Sequence, residues 1–140
     1  MAKTICKILG VVFLLVGVVG CVMPGFLGTH LSVVHNLVHI ISGAVALYLG
    51  FAGTLSAARL FCIVFGIVYL LLAICGFLLG GPDTPTIAGM TGMGSDSKLW
   101  KVIPGQLELG LMDHIVHVLL GVVFLIGGFL TKADVARATD

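Results

Sequence analysis

Four histidines stand in two matched stretches, HNLVH at residues 35–39 and DHIVH at residues 113–117, each at the start of a long apolar run. On a helix, residues three or four apart share a face, so His35 with His39 and His114 with His117 form two imidazole ridges. Several chemistries fit. Two imidazole nitrogens, from His39 and His117, suit a haem iron or a chlorophyll magnesium. With His35, Asp113 and His114 they make a five-residue donor set for a first-row transition metal such as zinc or copper. Alternatively the rings donate to backbone carbonyls, to Asn36, to Asp113 or to one another, and tie two helices together. A proton relay is a further use of histidine, but it needs polar groups continuing across the bilayer, and the inner halves of the helices offer only Ser42, Tyr48 and Tyr69 besides glycine and cysteine. The HxxxH spacing is unselective: neither HExxH nor CxxCH occurs. No bound cofactor is the simplest expectation.

The elements that must hold these side chains are membrane spans. Of 140 residues, 59% are hydrophobic and only 9% charged, with a mean hydropathy of +1.24. Soluble domains carry about a quarter charged residues. Apolar runs cover about Thr4–Met23, Val33–Gly53, Leu60–Leu79 and Leu111–Leu130. Each is near the roughly 20 residues that cross a hydrocarbon core, and in lipid such runs must be helical because unpaired backbone groups cost too much. The expected fold is an all-α membrane protein of four transmembrane helices in a single domain over 1–140. The near-neutral balance, 7 Lys+Arg against 6 Asp+Glu, excludes the basic surface that nucleic acid requires.

The spans repeat. A shift of 56 lays KTICKILGVVFLLVGVVG on RLFCIVFGIVYLLLAICG, pairing Cys6 with Cys62, Gly10 with Gly66 and Phe13 with Tyr69. A shift of 78 lays HNLVHIISGAVALYLGF on DHIVHVLLGVVFLIGGF, pairing His39 with His117, Gly43 with Gly121 and Gly50 with Gly128. His35 then falls on Asp113 and Asn36 on His114. This reads as two parallel helical-hairpin repeats, 3–54 and 59–131, with an outer loop at 80–110 and a tail at 132–140. The short turn TLSA separates the second span from the third. The long loop, rich in Gly, Pro, Ser and Thr, is expected to be irregular, with Asp83, Asp96 and Glu108 solvated in it.

Positive residues set the orientation. Lys3, Lys7, Arg59, Lys132 and Arg137 lie on one side, Lys98 and Lys101 on the other, so both termini are expected to be cytoplasmic and the histidines to lie near the outer face of a bacterial inner (plasma) membrane. The start of the chain also resembles a lipoprotein signal ending at Cys21, but the same run recurs as the third span, where no cleavage can occur. Cys21 and Cys75, near the outer ends, could form a disulfide, although all four cysteines also suit helix interfaces as small apolar residues. The glycines read as packing notches. No nucleophile-and-base arrangement is visible, so no enzymatic activity is expected.

The residues HNLVHIISGAVALYLG, ARLFCIVFGIVYLLLAICGFL and DHIVHVLLGVVFLIGG resemble a bacterial family of small four-helix membrane proteins known only as a domain of unknown function. The likeness covers roughly residues 5–131. It rests on an N-x-x-H helix start with an early glycine, matched by Asn36, His39 and Gly43 and, with His114 in place of asparagine, by His117 and Gly121. The resemblance implies the topology and leaves the activity open. The expectation is a non-catalytic accessory or scaffold subunit of a larger membrane complex, partnered by the lipid bilayer and by other membrane proteins or further copies of itself. The alternatives are a small haem- or metal-binding carrier using His39 and His117, or an oligomeric transporter or channel.

Overall fold

The computed structural model describes residues 1–90 and 92–132; the tail expected at 132–140, with Arg137, lies outside them beyond Lys132. Four helices, α1 (Ala2–Val22), α2 (Val33–Phe51), α3 (Leu55–Leu79) and α4 (Leu111–Leu130), are each long and apolar enough to cross a membrane. They leave Leu15 (60% exposed), Ile41 (55%), Leu71 (54%) and Leu119 (61%) facing outward. Such faces are stable against hydrocarbon and would be costly in water. The chain is a multi-pass membrane protein.

Local chemistry sets the helix ends. The Ser32 hydroxyl accepts the His35 N–H at 3.1 Å and starts α2, and the Thr54 hydroxyl accepts the Ala57 N–H at 3.1 Å and starts α3. The expected TLSA turn is therefore shorter. Thr54 caps the helix, and Leu55, Ser56 and Ala57 form its first turn.

Packing joins α1 to α2 and α3 to α4, and glycine makes the approach possible. A Cβ on Gly43 would lie 2.9 Å from the Gly10 carbonyl oxygen, and one on Gly121 would lie 3.0 Å from that of Gly66. Leu47 and Leu14 flank the first crossing as Leu125 and Leu70 flank the second. All four correspondences are 56 or 78 residues apart. Between the hairpins, residues at matched positions meet each other. The Cys6 and Cys62 sulfurs are 3.7 Å apart, the Phe13 and Tyr69 rings are 5.7 Å apart, and His35 Nδ1 lies 4.0 Å from Asp113 Oδ1. Around them Ala46, Ala58, Phe61 and Phe124 complete a buried core.

The loop expected to be irregular at 80–110 instead contains a three-stranded antiparallel sheet, β1 (Gly81–Asp83), β2 (Asp96–Ile103) and β3 (Leu107–Leu109), in the order β1-β2-β3. Gly81 pairs with Leu99, and Trp100 with Leu109. The run KLWKVI supplies the bulky residues that suit a pleated surface, and Gly105, at φ +75°, turns the chain between β2 and β3. Nor is Glu108 solvated. It is fully buried, with its carboxylate accepting the Gly105 N–H at 2.9 Å, the Thr86 N–H at 2.8 Å and the Thr86 hydroxyl. Burial pushes its pKa up, but these donors and Lys101 outweigh burial and hold it below the usual carboxylate range. Asp83 is solvated as expected and pairs with Lys101 at 2.7 Å.

A buried histidine cluster at the sheet end of the bundle

Asp113 lies in the first turn of α4, 2% exposed. Its Oδ2 accepts the Gly110 N–H at 2.8 Å, which caps the helix, and the His30 N–H at 3.0 Å. His30 Nδ1 lies 3.2 Å from the same oxygen and 4.0 Å from Asp96 Oδ2. Asp96 in turn accepts the Leu111 N–H at 3.1 Å, so a sheet residue caps α4 as well. Burial would lower the pKa of His30, but the hydrogen bond to Asp113 and the charges of Asp113, Asp96 and Glu108 outweigh it and raise that pKa above 6.5. Hydrogen bonds from His30 to Asp113, joined by a charge pair when the ring is protonated, tie the segment before α2 to the start of α4.

His35 sits next to this pair. Its Nδ1 lies 2.9 Å from the His30 carbonyl oxygen, which can only accept, so the ring carries its proton on Nδ1. Its ring centroid is 4.5 Å from that of His39 and 6.1 Å from that of His117. His39 stacks on Phe13 at 5.5 Å, and His117 packs against Tyr69 at 5.1 Å, again at matched positions. Neither nitrogen of His39 or His117 makes a hydrogen bond among the described residues, and both Nδ1 atoms are sealed in protein. These two rings are 7% and 3% exposed.

Two crevices flank the three rings of His35, His39 and His117. One, of about 90 Å³, lies between α1 and α4 beneath the single 3₁₀ turn Phe26–Gly28, and the other, of about 190 Å³, lies between α2 and α3 beneath β3. All three rings line both crevices.

The donor set of His35, His39, Asp113, His114 and His117 is not assembled around one point. Among the described residues no group of three His, Cys, Asp or Glu side chains is placed to hold a metal ion. Two observations explain this. His114 turns away toward α3, donating from Nε2 to the Lys98 carbonyl at 2.8 Å, and its ring fills the notch left by Gly76. Asp113 already accepts from His30 and Gly110. Asn36, the counterpart of His114, fills the matching notch at Gly20 and donates to the Leu31 carbonyl at 3.2 Å. His114 is therefore a tie between α4 and the sheet. His39 and His117 are left as the pair able to hold a small molecule, through Nε2, since both line the crevices and His114 lines neither. Both crevices are narrow for a porphyrin. The thiols of Cys6, Cys21, Cys62 and Cys75 are all free.

The sequence reading omitted His30 and took Asp96 for a solvated loop residue; its side chain is only 15% exposed because it caps α4 and faces His30. The signal for His30 was its place two residues before the Ser32 cap, where a side chain is directed at the bundle end rather than into the span.

A family model described as Domain of unknown function (DUF4383) matches residues 23–130. No curated protein and no solved structure matches.

Proposed function

Because this chain belongs to the DUF4383 family, a domain of unknown function, we propose from its geometry that it is a non-catalytic membrane protein that binds a small molecule between its two hairpins, at His39 and His117. One observation carries the reading: two imidazoles at matched positions line both crevices, and their Nε2 atoms make no hydrogen bond among the described residues and are not sealed in protein. An unsatisfied buried polar group costs about 1–3 kcal/mol, and ionisable residues at membrane depth mark functional sites by default. As an accessory subunit, it would hold that molecule for a neighbouring membrane protein.

We read the hairpins as parallel repeats, supported by the matched glycine crossings and by the Cys6–Cys62 and Phe13–Tyr69 contacts. Lys3, Lys7, Arg59 and Lys132 at one end against Lys98 and Lys101 at the other support cytoplasmic termini in a bacterial inner membrane.

The test is to purify the protein from its native membrane in mild detergent, record its absorption spectrum and identify extracted small molecules by mass spectrometry. A stoichiometric non-protein molecule that disappears from His39→Ala and His117→Ala is expected. A ligand-free native preparation, or a ligand retained by both variants, would refute the reading.

A further inference from the structure

The two crevices are copies of each other in their walls and differ in their chemistry. Val12 and Val116 line the crevice between α1 and α4, and their counterparts Val68 and Val38 line the one between α2 and α3. Both crevices open on the lipid-facing flank, since Val12, Val38 and Val68 are all substantially exposed. At matched positions the residue types diverge. Where the first crevice has Phe13, Leu120 and Asp113, the second has Tyr69, Ser42 and His35, and Val16 is replaced by Leu72. The second crevice is also the roomier, at about 190 Å³ against about 90 Å³.

The hydroxyls of Tyr69 and Ser42 make no hydrogen bond among the described residues, yet neither is sealed in protein. Both residues line the crevice. No lysine, arginine or carboxylate lines that crevice. A phosphate or ammonium head group would therefore lose its hydration with nothing to offset the charge, whereas an uncharged head with hydrogen-bonding oxygens is matched. The walls near those hydroxyls are rings. Tyr69 lies 5.1 Å from His117 and 6.2 Å from Phe65, and flat partners stack well against such surfaces. Past the rings the lining is aliphatic, Val38, Val68 and Leu72, and leads to the lipid.

We propose that the crevice between α2 and α3 is the binding site for the ring of a lipid-soluble quinone, which enters sideways from the bilayer, places its carbonyl oxygens near Tyr69, Ser42 and the His39–His117 pair, and leaves its hydrocarbon tail along Val38 and Val68. This rests on the reading that His39 and His117 belong to a ligand site, and it adds the ligand class and the side of the bundle. Only binding is assigned.

The chain carries its own reporter. Its single tryptophan, Trp100, pairs across the sheet with Leu109, which caps this crevice, so a quinone bound there quenches Trp100 at short range. Purified protein in phosphatidylcholine nanodiscs is titrated with decylubiquinone. Saturable quenching of Trp100 is expected. Tyr69→Phe with Ser42→Ala should weaken the half-saturation point roughly tenfold, the loss of two neutral hydrogen bonds. Val68→Phe should abolish saturation by filling the crevice, and Val12→Phe, which fills the twin crevice, should leave it unchanged. Quenching that rises without saturation and is equal in wild type and Val68→Phe reports partition into the bilayer only and would overturn the proposal. Sensitivity to Val12→Phe but not to Val68→Phe would overturn the choice of crevice. If a native small molecule depends on His39 and His117 while decylubiquinone neither quenches saturably nor displaces it, the ligand site stands and the quinone assignment falls.

Discussion

Replacing Asp113 by alanine is the sharpest test of what holds the sheet end together. The carboxylate is 2% exposed and accepts the Gly110 N–H at 2.8 Å and the His30 N–H at 3.0 Å, with the His30 ring nitrogen at 3.2 Å. Asp113→Ala leaves two backbone donors without a partner and the His30 ring with only Asp96, at 4.0 Å. Breaking a buried ion pair from one side costs about 3–5 kcal/mol. Asp113→Asn retains one accepting oxygen and loses the charge, for about 1–3 kcal/mol. The pH dependence follows from His30. Its pKa is raised on folding, so the pair's contribution is complete below about pH 6.5, the unfolded value, and is lost as pH rises through the higher folded one. The assay is thermal unfolding in detergent followed by circular dichroism across that range. The stability difference between wild type and Asp113→Asn isolates the pair: it should be largest below about pH 6.5 and shrink as pH rises. A cost below about 1 kcal/mol for Asp113→Ala, or a difference from Asp113→Asn that does not change with pH, would refute the assignment of the pair.

Gly43→Ala and Gly121→Ala should each cost about 1–3 kcal/mol in the same unfolding assay. In each case the added methyl meets a backbone carbonyl that cannot move aside, at 2.9 Å from Gly10 and 3.0 Å from Gly66. Glu108→Ala should raise the rate of proteolysis between residues 84 and 106 and cost about 2–3 kcal/mol, because three donors lose a buried acceptor. Its pKa is lowered on folding, so that stabilisation is present above pH 4.5 and fades as pH falls through the folded value. A membrane-impermeant amine reagent added to intact cells should modify Lys101 and spare Lys3 and Lys7; the reverse pattern would invert the proposed orientation.

The four helices were legible because hydrocarbon solvation leaves a run of about 20 apolar residues no other structure. Two were found with the same start and nearly the same end. The early start of α3 was not, because Thr54 reads as a turn residue until its hydroxyl is seen capping Ala57. The sheet was hidden by the glycines and prolines around KLWKVI, which signal a loop equally well when a turn such as Gly105 is the real device. His39 and His117 line the same two crevices, whereas His114, grouped with them on helical spacing alone, turns toward the sheet. The alignment already placed His114 on Asn36 and Gly76 on Gly20, so its packing role was encoded there. The contact of His30 with Asp113 spans 83 residues, and no local pattern could reveal it.

The meeting of Cys6 with Cys62, of Phe13 with Tyr69 and of His35 with Asp113 has an evolutionary corollary. Were each hairpin a separate, identical subunit, every position on the dyad would face its own twin. At the third position that means imidazole against imidazole or carboxylate against carboxylate, a contact without charge complement. On the proposed reading of the hairpins as repeats, covalent linkage lets the two halves mutate independently, so that an acid and a base can share that spot. Such a chain can reach an asymmetric interior that no homodimer of its halves can.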